Sequence, residues 1–167
     1  MGKGQLLPCS RPHHRIEHEL ALLDSLDMGK PVSSAMGDMA GAIGCIRHHA
    51  ESIDKLYGEI APTGEESLGL VLREPLGVVA SIVPWNFPLM MTAWKIGPAL
   101  AAGNTVMAKP AEQSPIIAQE AVKLFRTAGL PENVLALLPG RGEVTGAAML
   151  EASELAGVAF TGGTGTL

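Results

Sequence analysis

The sequence has little of what marks several common classes of protein. Its 167 residues include only 12 Lys and Arg against 17 Asp and Glu, which gives a net charge of −5, and they contain no run of basic residues. Nucleic acid is therefore not an expected partner, because nucleic-acid-binding surfaces cluster basic side chains. No stretch of about 18 uncharged apolar residues is present, and the start lacks the apolar segment of a secretion signal. We therefore expect a cytoplasmic protein without a membrane span.

Cysteine is also scarce. Cys9 and Cys45 are the only two cysteines, and one possible pair is weak evidence for a disulfide framework. Their separation matches no metal-binding spacing, so we predict two free thiols and no metal site. In contrast, 47% of the residues are hydrophobic and 17% are charged, which is typical of a globular domain with a core.

The first part of the chain predicts helices. Residues 1–14 lack periodicity and are expected to be irregular, whereas residues 15–167 are expected to form one partial domain. Ile16, Leu20, Leu23 and Leu26 have helical spacing, and Gly29 is placed to end that helix. A second helix is predicted from an N-cap at residue 33 or 34 to residue 57, burying positions 36, 39, 43, 46, 50, 53 and 57.

The second part predicts alternating strands and helices. A turn-rich stretch, 58–67, leads to a β-like segment at 68–73, and 58–75 together are expected to form a turn and assembly segment. Short apolar runs predict strands at 77–83, 105–108, 134–138 and 158–160, with helices at 89–102, 115–128 and 143–151. This rhythm indicates an α/β fold with a parallel sheet, doubly wound or part of one.

Distinctive residues follow each predicted strand. They are PWNFP at 84–88, KPAE at 109–112, GRG at 140–142 with Gly146, and TGGT at 161–164. Ligands of open α/β sheets bind beyond the carboxyl ends of the strands, so all four segments are expected on one rim. A dinucleotide needs backbone donors, small residues and groups that hold ribose hydroxyls, and this rim offers each of them.

Each signal is weak when taken alone. The glycines form GxGxxxG rather than the usual GxGxxG, which is also compatible with a plain turn into a helix. Lys109 and Glu112 could hold ribose hydroxyls or could simply be solvated turn residues. Trp85 could be a core residue, and Asn86 could be a turn former. Only their coincidence on one edge favours a binding site.

Longer motifs carry a family resemblance. The segments LALLDSLDMGKPV, EPLGVVASIVPWNFPLMMTAWKIGPALAAGNTVMAKPAEQSP, AGLPENVLALLPGRGEVTG and GVAFTGGT resemble the aldehyde dehydrogenase superfamily, in order and at similar intervals, over about residues 19–164. The resemblance implies a Rossmann-like cofactor domain preceded by N-terminal helices. It also implies an NAD(P)-dependent oxidoreductase, in which a cysteine thiolate attacks an aldehyde, hydride passes to the cofactor, and water releases the acid from the thioester.

The resemblance assigns roles to individual residues. Asn86 matches the asparagine whose amide donates to the developing alkoxide in the oxyanion hole, and it is also expected to contact the cofactor. Lys109 and Glu112 match residues that hold the adenine ribose. The remaining matches are the cofactor-wall positions Ile82, Pro84 and Trp85, and the glycine-rich or turn positions Gly142, Gly146, Thr161 and Gly162. Gly163 is also expected to bind the cofactor, but the family pattern FTGST has a serine at this position, so a hydroxyl donor to the cofactor phosphate is missing here.

The resemblance also implies what the chain lacks. The family's catalytic cysteine and its water-activating glutamate lie far downstream of these motifs, beyond Leu167, and neither Cys9 nor Cys45 matches the nucleophile. We therefore expect these 167 residues to be inactive alone. The alternative function is a non-catalytic fragment that binds nucleotide or a partner subunit.

Substrate and assembly are expectations from the same resemblance. The segment around PWNFP is most similar to the branch that oxidises amino-aldehydes such as 4-(γ-glutamylamino)butanal. Glu112 favours NAD over NADP, because a carboxylate repels a 2′-phosphate, although Lys109 partly offsets this. The family implies an aldehyde as the small-molecule substrate and a homodimer or homotetramer as the assembly.

Overall fold

A computed structural model describes residue 8 and residues 14–163 of the chain. Helices α1 (His14–Met28) and α2 (Val32–Ser52) come first, followed by an antiparallel hairpin of β1 (Glu59–Ala61) and β2 (Gly69–Val71). The remaining elements are, in order, β3 (Val78–Ile82), α3 (Pro88–Ala101), β4 (Thr105–Lys109), α4 (Ile116–Thr127), β5 (Leu135–Leu137), a π-helical turn (Gly142–Gly146), α5 (Ala147–Leu150) and β6 (Leu155–Phe160). The predicted irregular segment 1–14 lies almost wholly outside the described residues.

The second sheet has four parallel strands in the order β5-β4-β3-β6. β3 is an interior strand, and its last residue, Ile82, pairs with Lys109 of β4 on one side and with Phe160 of β6 on the other. The carboxyl ends of these three strands therefore meet at one edge. The predicted α/β fold with a parallel sheet and preceding helices is confirmed.

The main core lies between this sheet and the first four helices. In α3 the buried side chains Leu89, Ala93, Ile96 and Leu100 recur at helical spacing, and they contact α2, α4 and the strands beneath. Pro88 begins α3 where its missing N–H costs nothing, and Gly103, with φ +85°, follows its end. Packing of one apolar face therefore holds the helical layer on the sheet.

Several predicted boundaries were wrong. Helix α2 ends at Ser52 rather than at residue 57, and Tyr57 is exposed rather than buried. Its last fully buried side chain is Ala50, and Ile53 beyond its end packs only partly against the core, so the helix gains little by continuing. The predicted cap at Ser33 or Ser34 was also wrong, because the helix begins at Val32 after Pro31 and has no side-chain cap.

Two other elements differ from the prediction. Residues 59–61 form a strand of the hairpin, although they were expected to be a turn. Both hairpin strands are largely exposed, so the sequence lacks the alternation of apolar and polar residues that would have predicted them. The helix expected at 143–151 is instead the π-helical turn followed by the four-residue α5, since the N–H of Ala147 bonds to the carbonyl of Gly142, five residues back.

A distant carboxylate caps helix α4. Asp27 of α1 accepts hydrogen bonds through Oδ2 from the N–H groups of Ile116 and Ile117, at 2.9 and 3.0 Å. The first N–H groups of a helix have no partner within it, and an anion there also interacts favourably with the helix dipole. This contact fastens the N-terminal helix to the helix that follows β4.

Asp27→Ala is expected to lower the free energy of unfolding by about 0.5–2 kcal/mol, the usual cost of losing a helix cap. Urea denaturation followed by circular dichroism measures this change. Asp27→Asn keeps an acceptor oxygen and is the matched control, with a smaller expected loss. A midpoint for Asp27→Ala equal to that of the unsubstituted chain would contradict the capping role.

Within residues 14–163, no helix combines the length and the apolar character required to cross a bilayer.

Candidate functional site

The strand order creates a crevice beside β3. The chain runs outward from β3 through β4 to β5, then returns across the sheet to β6 on the other side of β3. Because parallel crossovers are right-handed, α3 and α4 lie on one face of the sheet, and the π-helical turn and α5 lie on the other. The carboxyl ends of β3 and β6 thus flank a topological switch point, where open α/β sheets bind ligands.

A cleft of about 720 Å³ lies at this edge. Ten of the eleven residues predicted to bind a cofactor line it, and they come from all four strand ends: Ile82, Pro84, Trp85, Lys109, Glu112, Gly142, Gly146, Thr161, Gly162 and Gly163. The structure therefore brings together residues that lie up to 81 positions apart in the sequence. Their individual roles in binding stay predictions.

Asn86 is the eleventh residue, and it does not line the cleft. It lies in the exposed turn between β3 and α3, next to the cleft residue Trp85. Among the described residues its side chain has no hydrogen-bond partner, so the backbone of the turn sets its direction.

Lys109 is the one cation among the described residues that line the cleft. It ends β4, its side chain is only 3% exposed, and its Nζ donates to the carbonyl oxygen of Pro110 at 3.1 Å. Nζ also lies 3.8 Å from Oε2 of Glu112, which is 45% exposed. Burial lowers the pKa of the Lys109 ammonium, and the Glu112 carboxylate partly opposes that shift. The pair presents a buried donor and a solvated acceptor side by side.

Glycine keeps the cleft open at two positions. A Cβ at Gly146 would lie 3.7 and 3.8 Å from Cδ and Cε of Lys109, which is ordinary contact distance. A side chain at residue 146 would therefore take space beside the lysine without displacing it. At Gly162 a Cβ would come within 2.6 Å of the Phe160 ring, so a larger residue could not occupy this position without moving that ring.

The glycine before the π-helical turn, Gly140, is required by backbone conformation rather than by the shape of the cleft. Gly140 has a φ of +150°, and a Cβ there would lie 2.0 Å from Oγ1 of Thr145. The chain can therefore pass this close to Thr145 only without a side chain. Among the three glycines of GxGxxxG, Gly142 and Gly146 line the cleft, and Gly140 shapes the turn that carries them.

Sequence reasoning missed eight lining residues, which are Val83, Ala111, Gln113, Glu143, Ala147, Leu150, Val158 and Phe160. Val158 and Phe160 are two apart in β6, so they share one side of the strand. That alternation could have identified the β6 wall. Glu143 adds a second carboxylate to the lining, and it forms an ion pair with Arg141.

Of the two predicted free thiols, only Cys45 lies within the described residues. Cys45 is a free thiol in α2, where its Sγ lies 3.7 Å from the carbonyl oxygen of Ala93. It does not line the cleft, and burial raises its pKa. Cys9 lies outside the described residues. Within the described part of the chain, therefore, no thiol lines the cleft.

Comparison with known proteins identifies the family. Residues 13–167 match the sequence profile of the aldehyde dehydrogenase family. The chain belongs to this family. It is 50% identical over 149 residues to the NADP/NAD-dependent aldehyde dehydrogenase PuuC of Escherichia coli, which covers 89% of this chain and 30% of that protein. The aminoacetaldehyde dehydrogenase of Pseudomonas aeruginosa is 46% identical, with the same two coverages.

Solved structures of family members have the same fold. The indole-3-acetaldehyde dehydrogenase AldA of P. syringae, in complex with NAD+ and IAA, superposes with a TM-score of 0.92 and 47% identity over 98% of this chain and 33% of its own. An NAD+ complex of an aldehyde dehydrogenase from Bacillus cereus gives a TM-score of 0.95 and 39% identity over 98% and 34%. The chain thus spans about 30% of the length of the curated relatives that it matches.

Proposed function

We propose that the whole protein is an aldehyde dehydrogenase that oxidises an aldehyde to a carboxylic acid with NAD+, and that this chain supplies much of the dinucleotide site. The observation that carries the proposal is the cleft at the β3 and β6 edge, lined from four strand ends by ten residues that the family motifs select. The two solved structures of family members compared above, which have the same fold, are complexes with NAD+, and this supports a dinucleotide in this position.

Lys109 and Glu112 fit a ribose. A vicinal pair of hydroxyls can accept a hydrogen bond from the ammonium and donate one to the carboxylate at the same time. The ammonium has one protein hydrogen bond among the described residues, to Pro110, so donor capacity remains. Gly146 leaves open the space next to the lysine stem, and a sugar needs that space in order to approach. The residues present therefore fit the group.

NAD is proposed as the preferred cofactor over NADP. The described lining holds one ammonium, from Lys109, and two carboxylates, from Glu112 and Glu143. A 2′-phosphate would add charge close to 2− beside Glu112, and like charges in a partly buried site repel strongly. Lys109 offsets part of this repulsion, which is compatible with the dual specificity in the name of the E. coli relative.

The proposed reaction also needs groups that do not line the described cleft. Bound NAD+ would supply a hydride acceptor. Asn86 would donate a side-chain N–H to the aldehyde oxygen as negative charge develops there, and would thereby stabilise the transition state. A cysteine thiolate would form the thioester that water later hydrolyses. Because no thiol lines the described cleft, we propose that the 167 residues alone bind the dinucleotide without turnover, which is the alternative function that the cleft also supports.

An amino-aldehyde is the proposed substrate class. The support is similarity to a relative named aminoacetaldehyde dehydrogenase, together with the motif around PWNFP. For assembly, we propose that the hairpin takes part in a homodimer or homotetramer. Its side chains Ile60, Leu68, Leu70 and Leu72 are 58–74% exposed, which leaves an apolar surface that a second subunit could cover.

NAD+ titration of the 167-residue chain tests the cofactor site. We expect saturable binding, monitored by calorimetry, and affinity about 10–100-fold weaker in Lys109→Met and Glu112→Gln, since a hydrogen bond involving a charged group contributes about 1.5–3 kcal/mol. Methionine and glutamine preserve side-chain length, so the fold should persist.

Lys123→Met is the matched control for the charge change. Lys123 is an exposed lysine of α4 that pairs with Glu120, away from the cleft. Its loss should leave NAD+ affinity unchanged. Failure of the unsubstituted chain to bind NAD+ at millimolar concentration would refute the proposed cofactor site.

A further inference from the structure

We propose that Lys30 is a positioning residue for Asn86: its ammonium, held between Asp24 and Asp38, fixes the Phe87 ring and thereby the turn that carries the amide. The inference rests on the proposed function, because it assumes that Asn86 is the donor to the aldehyde oxygen. None of the residues in this group lines the cleft, so the assignment is distinct from cofactor binding.

Lys30 lies in the link between α1 and α2 and is nearly buried. Its side chain is 9% exposed, and its Nζ lies 3.1 Å from Oδ2 of Asp24 and forms a shorter contact with Oδ2 of Asp38. The link itself is fixed, because Ser25 Oγ donates to the Lys30 carbonyl oxygen at 2.6 Å and Gly29 adopts a φ of +82°. The ammonium therefore has one well-defined position between two helices.

The same ammonium faces the PWNFP turn. Nζ lies 4.8 Å from the centroid of the Phe87 ring, within the range of a cation–π interaction. Phe87 is the last residue before α3, with φ −139° and ψ 60°. Its ring therefore anchors the end of the turn against a charge that belongs to the N-terminal helices.

Asn86 depends on such an anchor. Its side chain is exposed and has no hydrogen-bond partner among the described residues, so no contact of its own aims the amide. A donor stabilises a developing charge efficiently only when it is already oriented before reaction. The neighbours of Asn86 are Trp85, which lines the cleft, and Phe87, which Lys30 holds. Fixing Phe87 restricts the backbone angles that decide where the amide lies.

The chain offers a direct test, because it contains only three asparagines, Asn86, Asn104 and Asn133. Labelling asparagine with a magnetic nitrogen isotope gives three side-chain amide signals in an NMR spectrum. Asn104 is buried and hydrogen-bonded to the segment just before β3 and to α3, so its signal monitors the fold. Asn133 lies in a distant turn and serves as a second reference.

The main variant is the triple substitution Lys30→Met, Asp24→Asn and Asp38→Asn, which removes the cation without leaving buried carboxylates unpaired. We expect the Asn86 amide signal to shift or broaden more than the signals of Asn104 and Asn133. Lys30→Arg keeps a cation over the ring, and its Asn86 signal should stay near that of the unsubstituted chain. An unchanged Asn86 signal in the folded triple variant, or equal changes in all three signals, would overturn the proposal.

A second pair of variants covers the case in which the triple variant does not fold. Phe87→Leu removes the aromatic face and leaves the charged group intact, whereas Phe87→Tyr preserves that face. The proposal requires a larger change of the Asn86 signal in Phe87→Leu, and equal changes in the two variants would overturn it. NAD+ titration of the same samples reports separately on the cofactor site, so absence of NAD+ binding would refute that function while the Asn86 measurement stays decisive.

Discussion

Lys30→Met is expected to lower the free energy of unfolding by about 3–5 kcal/mol, the usual cost of removing one member of a buried ion pair. Methionine fills nearly the same space, so the loss comes from charge rather than from packing. Asp24 is fully buried and Asp38 is 14% exposed, and without the ammonium both carboxylates would have to stay charged without a counterion or take up a proton. Urea denaturation at neutral pH, followed by circular dichroism, measures the change.

Asp24→Asn is the matched control, and its expected effect is the opposite. The group has one cation and two carboxylates, so removal of the Asp24 charge leaves a balanced pair of Lys30 and Asp38. Burial raises the pKa of Asp24, and Lys30 opposes only part of that shift. The amide substitution should therefore be neutral or slightly stabilising at neutral pH. A loss similar to that of Lys30→Met would show that packing, rather than charge, explains both results.

The raised pKa of Asp24 also predicts how the stability of the chain changes with pH. Because the pKa of Asp24 is higher in the folded chain than its ordinary value of 3.8, the folded state binds this proton more readily than the unfolded state. The contribution of Asp24 to stability is therefore fully present below the ordinary pKa and is lost as pH rises through the raised pKa. Asp24→Asn should remove this part of the pH dependence.

The strands and the cleft could be predicted from the sequence because their signals are local. A short apolar run bounded by turn residues marks each strand of the parallel sheet, and chain order with right-handed crossovers then brings the strand ends together. The predicted strand at 105–108 differs from β4 by a single residue. Ten cofactor-site predictions lie on one cleft for this reason, although their roles await the titration.

Contacts between distant segments could not be predicted in this way. Asp27 caps a helix 89 residues further along the chain, and nothing in its neighbourhood indicates that partner. Asn104 also acts at a distance: its Oδ1 accepts from the N–H groups of Leu76 and Gly77, and its Nδ2 donates to the carbonyl oxygen of Ala99. Lys30 and its partners belong to the same class, since only the folded chain places Phe87 over that ammonium.

The glycines also divide into those whose role the neighbouring sequence predicts and those whose role depends on the folded structure. The sequence predicted correctly that Gly29 follows a helix, because a C-terminal glycine has a local signature. It could not predict that Gly140 faces Thr145 across a π-helical turn. That turn is wider than an α-helical one, and the predicted ordinary helix at 143–151 would have implied other neighbours.

Gly140→Ala is expected to lower the free energy of unfolding by about 2–6 kcal/mol, which combines about 1–3 for an unfavourable φ with about 1–3 for overpacking. A φ of +150° suits glycine alone, and the added Cβ would lie 2.0 Å from Oγ1 of Thr145. Relief of the clash must move the π-helical turn, which carries Gly142 and Gly146 into the cleft. Weaker NAD+ binding should therefore accompany the loss of stability, and denaturation and titration of the same sample measure both.

Two further variants distinguish the cost of the unfavourable φ at residue 140 from the cost of the steric clash with Thr145. Thr145→Ala removes Oγ1 but keeps Cβ, which would lie 3.0 Å from the new Cβ at residue 140. Combining it with Gly140→Ala should recover about 1–2 kcal/mol, as a coupling between contacting residues, and the unfavourable φ should account for the rest.

Gly37→Ala is the matched glycine control, because Gly37 lies within α2 with open space around it, and alanine there should stabilise the chain by about 0.5–1 kcal/mol. If Gly140→Ala behaved like Gly37→Ala, the loop before the π-helical turn could not have the conformation described, and the support that it gives to the cleft would be lost.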